Sequence, residues 1–213
     1  MYRPSAFAED RVPLLHDAIR RAPLANLVTV GPDGPEATPL PLLLDPDPAP
    51  YGTLVGHLSR ANPQWRNLAP GAPALAIVMG PAAYVSPAWY PSKAEGGRVV
   101  PTWNYVTVHA HGQLALVEDP EAILAIVAAL TDRHEAGRPE PWSVGDAPAD
   151  FIRAQLKGIV GVRLTVTRLE GKWKMSQNRP AADRGGVIRG LLREGGAAEA
   201  EVARVMAGDD GAP

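Results

Sequence analysis

Apolar and polar residues along this chain alternate with a period of two more often than they repeat at helical spacing. Residues 24–30 read as a strand, Gly31-Pro32-Asp33-Gly34 as a turn, and 36–44 as the returning partner. Further strands are expected over 53–58 and 75–79. Over 105–116, Val106, Val108, Ala110, Leu114 and Leu116 share one face, and Thr107, His109, His111 and Gln113 the other. The stretch 160–169 alternates again and is read as turning through Glu170-Gly171 into 172–175, a hairpin. Helical spacing is confined to a segment opened by Asp10 and Pro13, one opened by Asp119-Pro120-Glu121, and one from Pro148 to Gly158. Asn62-Pro63 predicts a short helix through Leu68. Roughly seven short strands in hairpins with peripheral helices predict a mainly β, α+β fold, an antiparallel barrel or sandwich rather than a doubly wound sheet.

Composition narrows the function classes. The chain has 213 residues and a formal charge of −2, and it contains no Cys. Disulfide frameworks, thiolate metal sites and thiol nucleophiles are therefore excluded. No apolar run nears the roughly 18 residues of a membrane span, and Met-Tyr-Arg-Pro-Ser does not read as a signal peptide, so a cytoplasmic protein is expected. The charge balance argues against a protein built mainly to neutralise a phosphate backbone. Five Trp and five Tyr against two Phe favour aromatics with a polar tip, as at a ligand surface or a subunit interface.

Four segments concentrate groups able to hold a planar anionic ligand. In His57-Leu58-Ser59-Arg60-Ala61-Asn62-Pro63-Gln64, a hydroxyl, a guanidinium and a helix start come together, as a phosphate requires; an ordinary cap with Arg60 in solvent fits the same residues. Tyr84 to Tyr90 and the stretch 100–105, with Trp103, Asn104 and Tyr105, suit the walls of a heterocycle site, or aromatic packing beneath a loop. Lys174, Ser176, Gln177, Asn178 and Arg179 crowd polar side chains at one strand end. His109 and His111 have chelating spacing, but no carboxylate stands at a ligand-like offset, and no metal is expected. No catalytic acid, base or nucleophile declares itself.

Read in order, MYRP, ATPLPLLLD, GHLSRANPQW, YVSPAWY, VPTWNYVTVHAHG, LKGIVG and GKWKMSQNRP resemble the PaiB family, the FMN-binding negative transcriptional regulators of bacteria. The resemblance runs from Met1 to about Leu192. It implies a split β-barrel of the pyridoxamine-phosphate-oxidase type, a homodimer, and FMN in the groove between subunits. It further implies that backbone groups near Thr38 and Leu40 border the isoalloxazine ring. Ser59 and Arg60 are placed at the phosphate with Asn62 and Gln64 assisting, His57 is counted among the cofactor-binding residues, and Trp103, Asn104, Tyr105, Lys174, Ser176, Gln177 and Asn178 close the site, from the same subunit or its partner. Residues 1–192 are thus expected as an FMN-binding domain, and 193–213 as an Ala-, Glu- and Gly-rich tail, helical or disordered. DNA is a partner by family resemblance, weakly supported by the charge. A flavin oxidoreductase fed by a reduced nicotinamide is the alternative.

Overall fold

The computed structural model describes residues 1–208; the end of the expected tail, 209–213, lies outside the described residues. Strand β1 (Ala8–Glu9) and helix α1 (Val12–Arg21) open the chain, followed by β2 (Ala25–Gly31), β3 (Gly34–Leu40), β4 (Leu43–Asp45), β5 (Thr53–Ser59) and the long β6 (Ala72–Val85). A short helix α2 (Lys93–Gly96) precedes β7 (Thr102–Val117), α3 (Pro120–Glu135), α4 (Ala149–Leu156) and β8 (Ile159–Lys174). Helices α5 (Ala181–Glu194) and α6 (Ala197–Ala207) complete the described chain. The eight strands form one sheet in the order β3-β2-β6-β7-β8-β5-β4, with β1 added beside β8. The class is α+β, mainly β, as expected. The path ends at β3 and β4, consecutive strands that do not pair with each other.

Contacts divide the chain into two compact units. One comprises Ile19–Val78 and His109–Leu169. Its β2–β3 hairpin pairs from Ala25↔Leu40 to Gly31↔Gly34, and β5 pairs with β8 from Thr53↔Thr165 to Ser59↔Ile159. Ile126 and Leu130 of α3 pack on Val55 of β5. The other comprises Met1–Ala18, Met79–Val108 and Glu170–Pro213. Its core joins Val85, Tyr90, Val106 and Met175 to Val187 and Leu191 of α5 and Val202, Ala203 and Met206 of α6.

Three expectations change. Residues 159–174 are one continuous strand, not a hairpin. Glu9 pairs with Gly171, and a Cβ on that glycine would lie 2.3 Å from Leu15 Cδ2 and 2.8 Å from the Glu9 carbonyl. Gly171 thus admits a close neighbour rather than turning the chain. Residues 36–44 form two strands, because Pro41 and Leu42 interrupt the pairing. The segment after Asn62 is a single 3-10 turn, Pro63–Asn67, rather than a helix long enough to act as a dipole.

Candidate functional site

In the first unit the candidate site grows from the end of β5 and the turn that follows. Asn62 caps this turn, its Oδ1 accepting from the Gln64 amide at 2.9 Å, while its Nδ2 donates to Thr38 Oγ1 on β3 at 2.8 Å. Gln64 is only 2% exposed. Its Nε2 donates to Thr29 Oγ1 at 3.0 Å and to the Leu27 carbonyl at 3.1 Å, and its Oε1 accepts from Thr38 Oγ1 at 2.5 Å. The side chains of Thr38, Asn62 and Gln64 therefore come together, but as a lock between the turn and the β2–β3 hairpin. β3 is an end strand, pairing with β2 alone. Alternate backbone groups along 34–40, near Thr38 and the buried Leu40, consequently lack a sheet partner.

The groups able to meet an anion lie on the outside of that lock. Ser59 is exposed, its Oγ accepting from the Ala61 amide at 3.2 Å. Arg60 and Arg66 place their guanidinium carbons each 5.5 Å from the Trp65 ring centre. The Trp65 indole in turn donates to the Arg60 carbonyl at 3.2 Å. Arg60 also meets Glu118 at 3.3 Å, an exposed pair of small energetic worth that an incoming phosphate can displace. Arg66 is the residue that sequence reading missed; its only signal is its place directly after Trp65. His57 stands apart, bordering a cleft of about 310 Å³ with Leu130, Thr131, His134 and Trp142. Burial holds its imidazole below the ordinary value, hence neutral, and Nδ1 is buried with no hydrogen-bond partner.

The second unit gathers the remaining candidates around the start of β7 and the end of β8. Trp103 is 56% exposed and meets Tyr84 edge-on, the ring centres 6.1 Å apart. Asn104 is fully buried; its Oδ1 accepts from Ser176 Oγ at 3.1 Å and its Nδ2 reaches Met206 Sδ at 3.2 Å. Lys174 Nζ donates to Thr102 Oγ1 and to the Trp103 carbonyl. Burial, with Lys172 and Arg179 nearby, lowers the pKa of Lys174. Gln177 folds onto its own turn, its Oε1 accepting from the Met175 amide at 2.7 Å and its Nε2 donating to the Trp173 carbonyl at 2.6 Å. Asn178 is exposed. Tyr105 lies beneath Lys172 and Lys174. Two aromatics read as possible ligand walls are packing residues instead: Tyr90 is 2% exposed in the core, and Trp89 packs on Gly186 and Gly190 of α5. Lys172, Asp183 and Met206 also escaped sequence reading.

The family model described as "Putative FMN-binding domain" matches residues 1–168. An uncharacterized protein of Aspergillus fumigatus is 34% identical over 92% of both chains. The protease synthase and sporulation protein PAI 2 of Bacillus subtilis is 30% identical over 97% of this chain and 96% of its own. Such relatives thus occur in fungi as well as bacteria. Among solved structures, the FAD and heme binding protein from Mycobacterium smegmatis superposes with a TM-score of 0.61 at 23% identity, over 89% of this chain and 80% of that one. That likeness concerns the fold, which is of the split-barrel type. With a family match across most of the chain and a PAI 2 relative aligned end to end, the chain belongs to the PaiB family of FMN-binding-domain proteins.

Proposed function

We propose that this protein binds FMN and acts as a cytoplasmic, homodimeric regulator of the PaiB type. One observation carries the flavin reading. Asn62 and Gln64 tie the edge strand β3, through Thr38, to the turn that carries Ser59, Arg60, Trp65 and Arg66. An open backbone edge for a ring system and an arginine-rich seat for a phosphate are thereby held as one piece. In this reading Ser59, Arg60 and Arg66 take the phosphate, and backbone groups near Thr38 and Leu40 border the ring. Asn62 and Gln64 position these groups. Trp103, Tyr105, Lys174 and Asn178 close the groove between subunits, over a frame braced by Asn104, Ser176 and Gln177. Bound FMN supplies the electron chemistry; the protein supplies orientation and charge. The name of the Bacillus relative, which speaks of sporulation, is in keeping with a regulatory role.

The test compares FMN with riboflavin, which lacks the phosphate. Arg60→Ala is expected to weaken FMN about ten- to a hundredfold by fluorescence titration, as loss of a charge-assisted bond implies, and riboflavin little. Equal losses move the phosphate elsewhere. A colourless protein that takes up no added FMN overturns the reading.

A second reading, a flavin oxidoreductase, is favoured by how two arginines, Arg179 and Arg184, are engaged. Arg179 lies over the buried Tyr90 and Arg184 donates to the Met206 carbonyl at 3.0 Å, which leaves less positive surface for DNA. Rapid anaerobic reduction of the bound flavin by NADH or NADPH decides for it, and a salt-sensitive, sequence-specific DNA complex decides for the regulator.

A further inference from the structure

We propose that Lys172, Lys174 and Arg179 form a site for an oxyanion, the phosphate or carboxylate group of a small-molecule ligand other than the flavin. Residues 172 and 174 share one face of β8 by the period of the strand. Their ammonium groups lie over the same Tyr105 ring, at 5.3 and 6.0 Å from its centre. Lys172 is also 5.5 Å from the Tyr2 ring centre, and its Nζ donates to the Tyr2 carbonyl at 3.1 Å. Ser176, with φ of 58°, reverses the chain, and the Arg179 amide closes that reversal on the Ser176 carbonyl at 3.0 Å. The turn brings Arg179 back over the Tyr90 ring at 4.9 Å.

What the cluster lacks is a carboxylate bonded to it, although Asp183 and Arg179 both act on Tyr90. Every partner of the three cations is neutral: two carbonyls, a hydroxyl and aromatic faces. Among the described residues, none of the three makes an ion pair with a carboxylate. Three carboxylates of the same unit are engaged elsewhere. Glu9 holds Arg11 at 2.6 Å, Glu170 the terminal amine at 3.0 Å, and Asp183 the Ser92 hydroxyl at 2.7 Å. Yet Lys172 is only 8% exposed. A buried cation without a counter-charge destabilises the fold, and cation–π contacts offset only part of that cost. Lys174 and Arg179 are half-buried, and neither bonds a carboxylate; a buried lysine grouped with two such cations suits an anion, as sites that bind phosphate or carboxylate do. The lowered pKa of Lys174, caused by burial and then by Lys172 and Arg179, reflects the same crowding. The inference rests on the flavin reading for what the ligand is for, a substrate or an electron donor, and not for where it binds.

The test uses the full chain in an Arg60→Ala background, which weakens the other phosphate seat. Inorganic phosphate and succinate are titrated calorimetrically at constant ionic strength in chloride; the stronger of the two identifies the group recognised. Saturable binding is expected for at least one, weakened about tenfold or more by Lys172→Met and by Arg179→Gln. Lys172→Met is also expected to melt above its parent in chloride, since it removes an unpaired buried charge, and to lose the rise in melting temperature caused by the anion. If Lys172→Met does not fold, Arg179→Gln carries the comparison. No saturable binding, or equal affinity in the variants, overturns the proposal. So does loss of phosphate binding when the wild-type protein is saturated with FMN, because the cluster then belongs to the flavin. Should FMN fail to bind while the anion still does, the flavin reading falls and the anion site stands.

Discussion

Gln64 shows how a single side chain couples the candidate site to the core. Its amide satisfies Thr29, the Leu27 carbonyl and Thr38 at once, with the Glu36 carbonyl at 3.3 Å. Gln64→Ala strands these buried groups and leaves a void, an expected loss of about 2–4 kcal/mol in urea unfolding. FMN affinity is expected to fall with it, since the lock orients Arg60 and Arg66. His57 adds a pH dependence. Its folded pKa lies below the ordinary value of 6.5, so on acidification the unfolded chain takes up the proton first. Stability is therefore full above pH 6.5 and declines as pH falls below it. In His57→Phe that part of the decline is expected to vanish, read as the difference between the two melting curves across pH 5 to 7.

At the scale of elements, α5 was missed because its sequence carries glycines at 185, 186 and 190, which argue against a helix in isolation. Packing explains two of them. A Cβ on Gly186 would lie 2.1 Å from the Trp89 carbonyl, and one on Gly190 would lie 2.3 Å from the Trp89 ring. Gly185 differs, since its Cβ would meet only the far end of Arg189, at 3.3 Å. Here helix propensity and overpacking oppose each other, and their magnitudes decide. Gly185→Ala is expected to stabilise by about 0.5–1 kcal/mol. Gly190→Ala is expected to destabilise by about 1–3 kcal/mol despite the same propensity gain. Chemical denaturation of the pair is the check. Gly171 carries a similar lesson: glycine after glutamate suggests a turn locally, but the neighbour it admits, β1, comes from the far end of the chain.

At the scale of the whole molecule, the proposed dimer and cofactor predict linked behaviour. Trp103, Tyr84 and Val100 are exposed apolar residues of one unit, at 56%, 46% and 63%. Exposed apolar residues of this size are what a subunit interface covers. Trp103→Glu is expected to shift the protein from dimer to monomer in sedimentation equilibrium and to weaken FMN with it. For the wild type, FMN at about one hundred times its dissociation constant is expected to raise stability by about 2.7 kcal/mol, seen as a higher melting temperature. Among the described residues, no helix is long and apolar enough to cross a membrane.

Read alone, the sequence determined the strand-dominated class, the hairpin at Gly31 to Gly34, the caps at Asn62 and Asp119, and the family. These depend on local periodicity, on turn and cap chemistry, and on motifs in order along the chain. Only the tertiary structure decided that Gln64 and Asn104 face inward, that Trp89 and Tyr90 pack rather than line a ligand wall, and that Arg66 joins Arg60 at Trp65. It alone revealed Lys172 buried among neutral partners. A polar side chain carries the same letters whether it meets solvent, a ligand or a buried carbonyl. Which of these it meets is set by segments distant in sequence, and the local pattern holds no record of them.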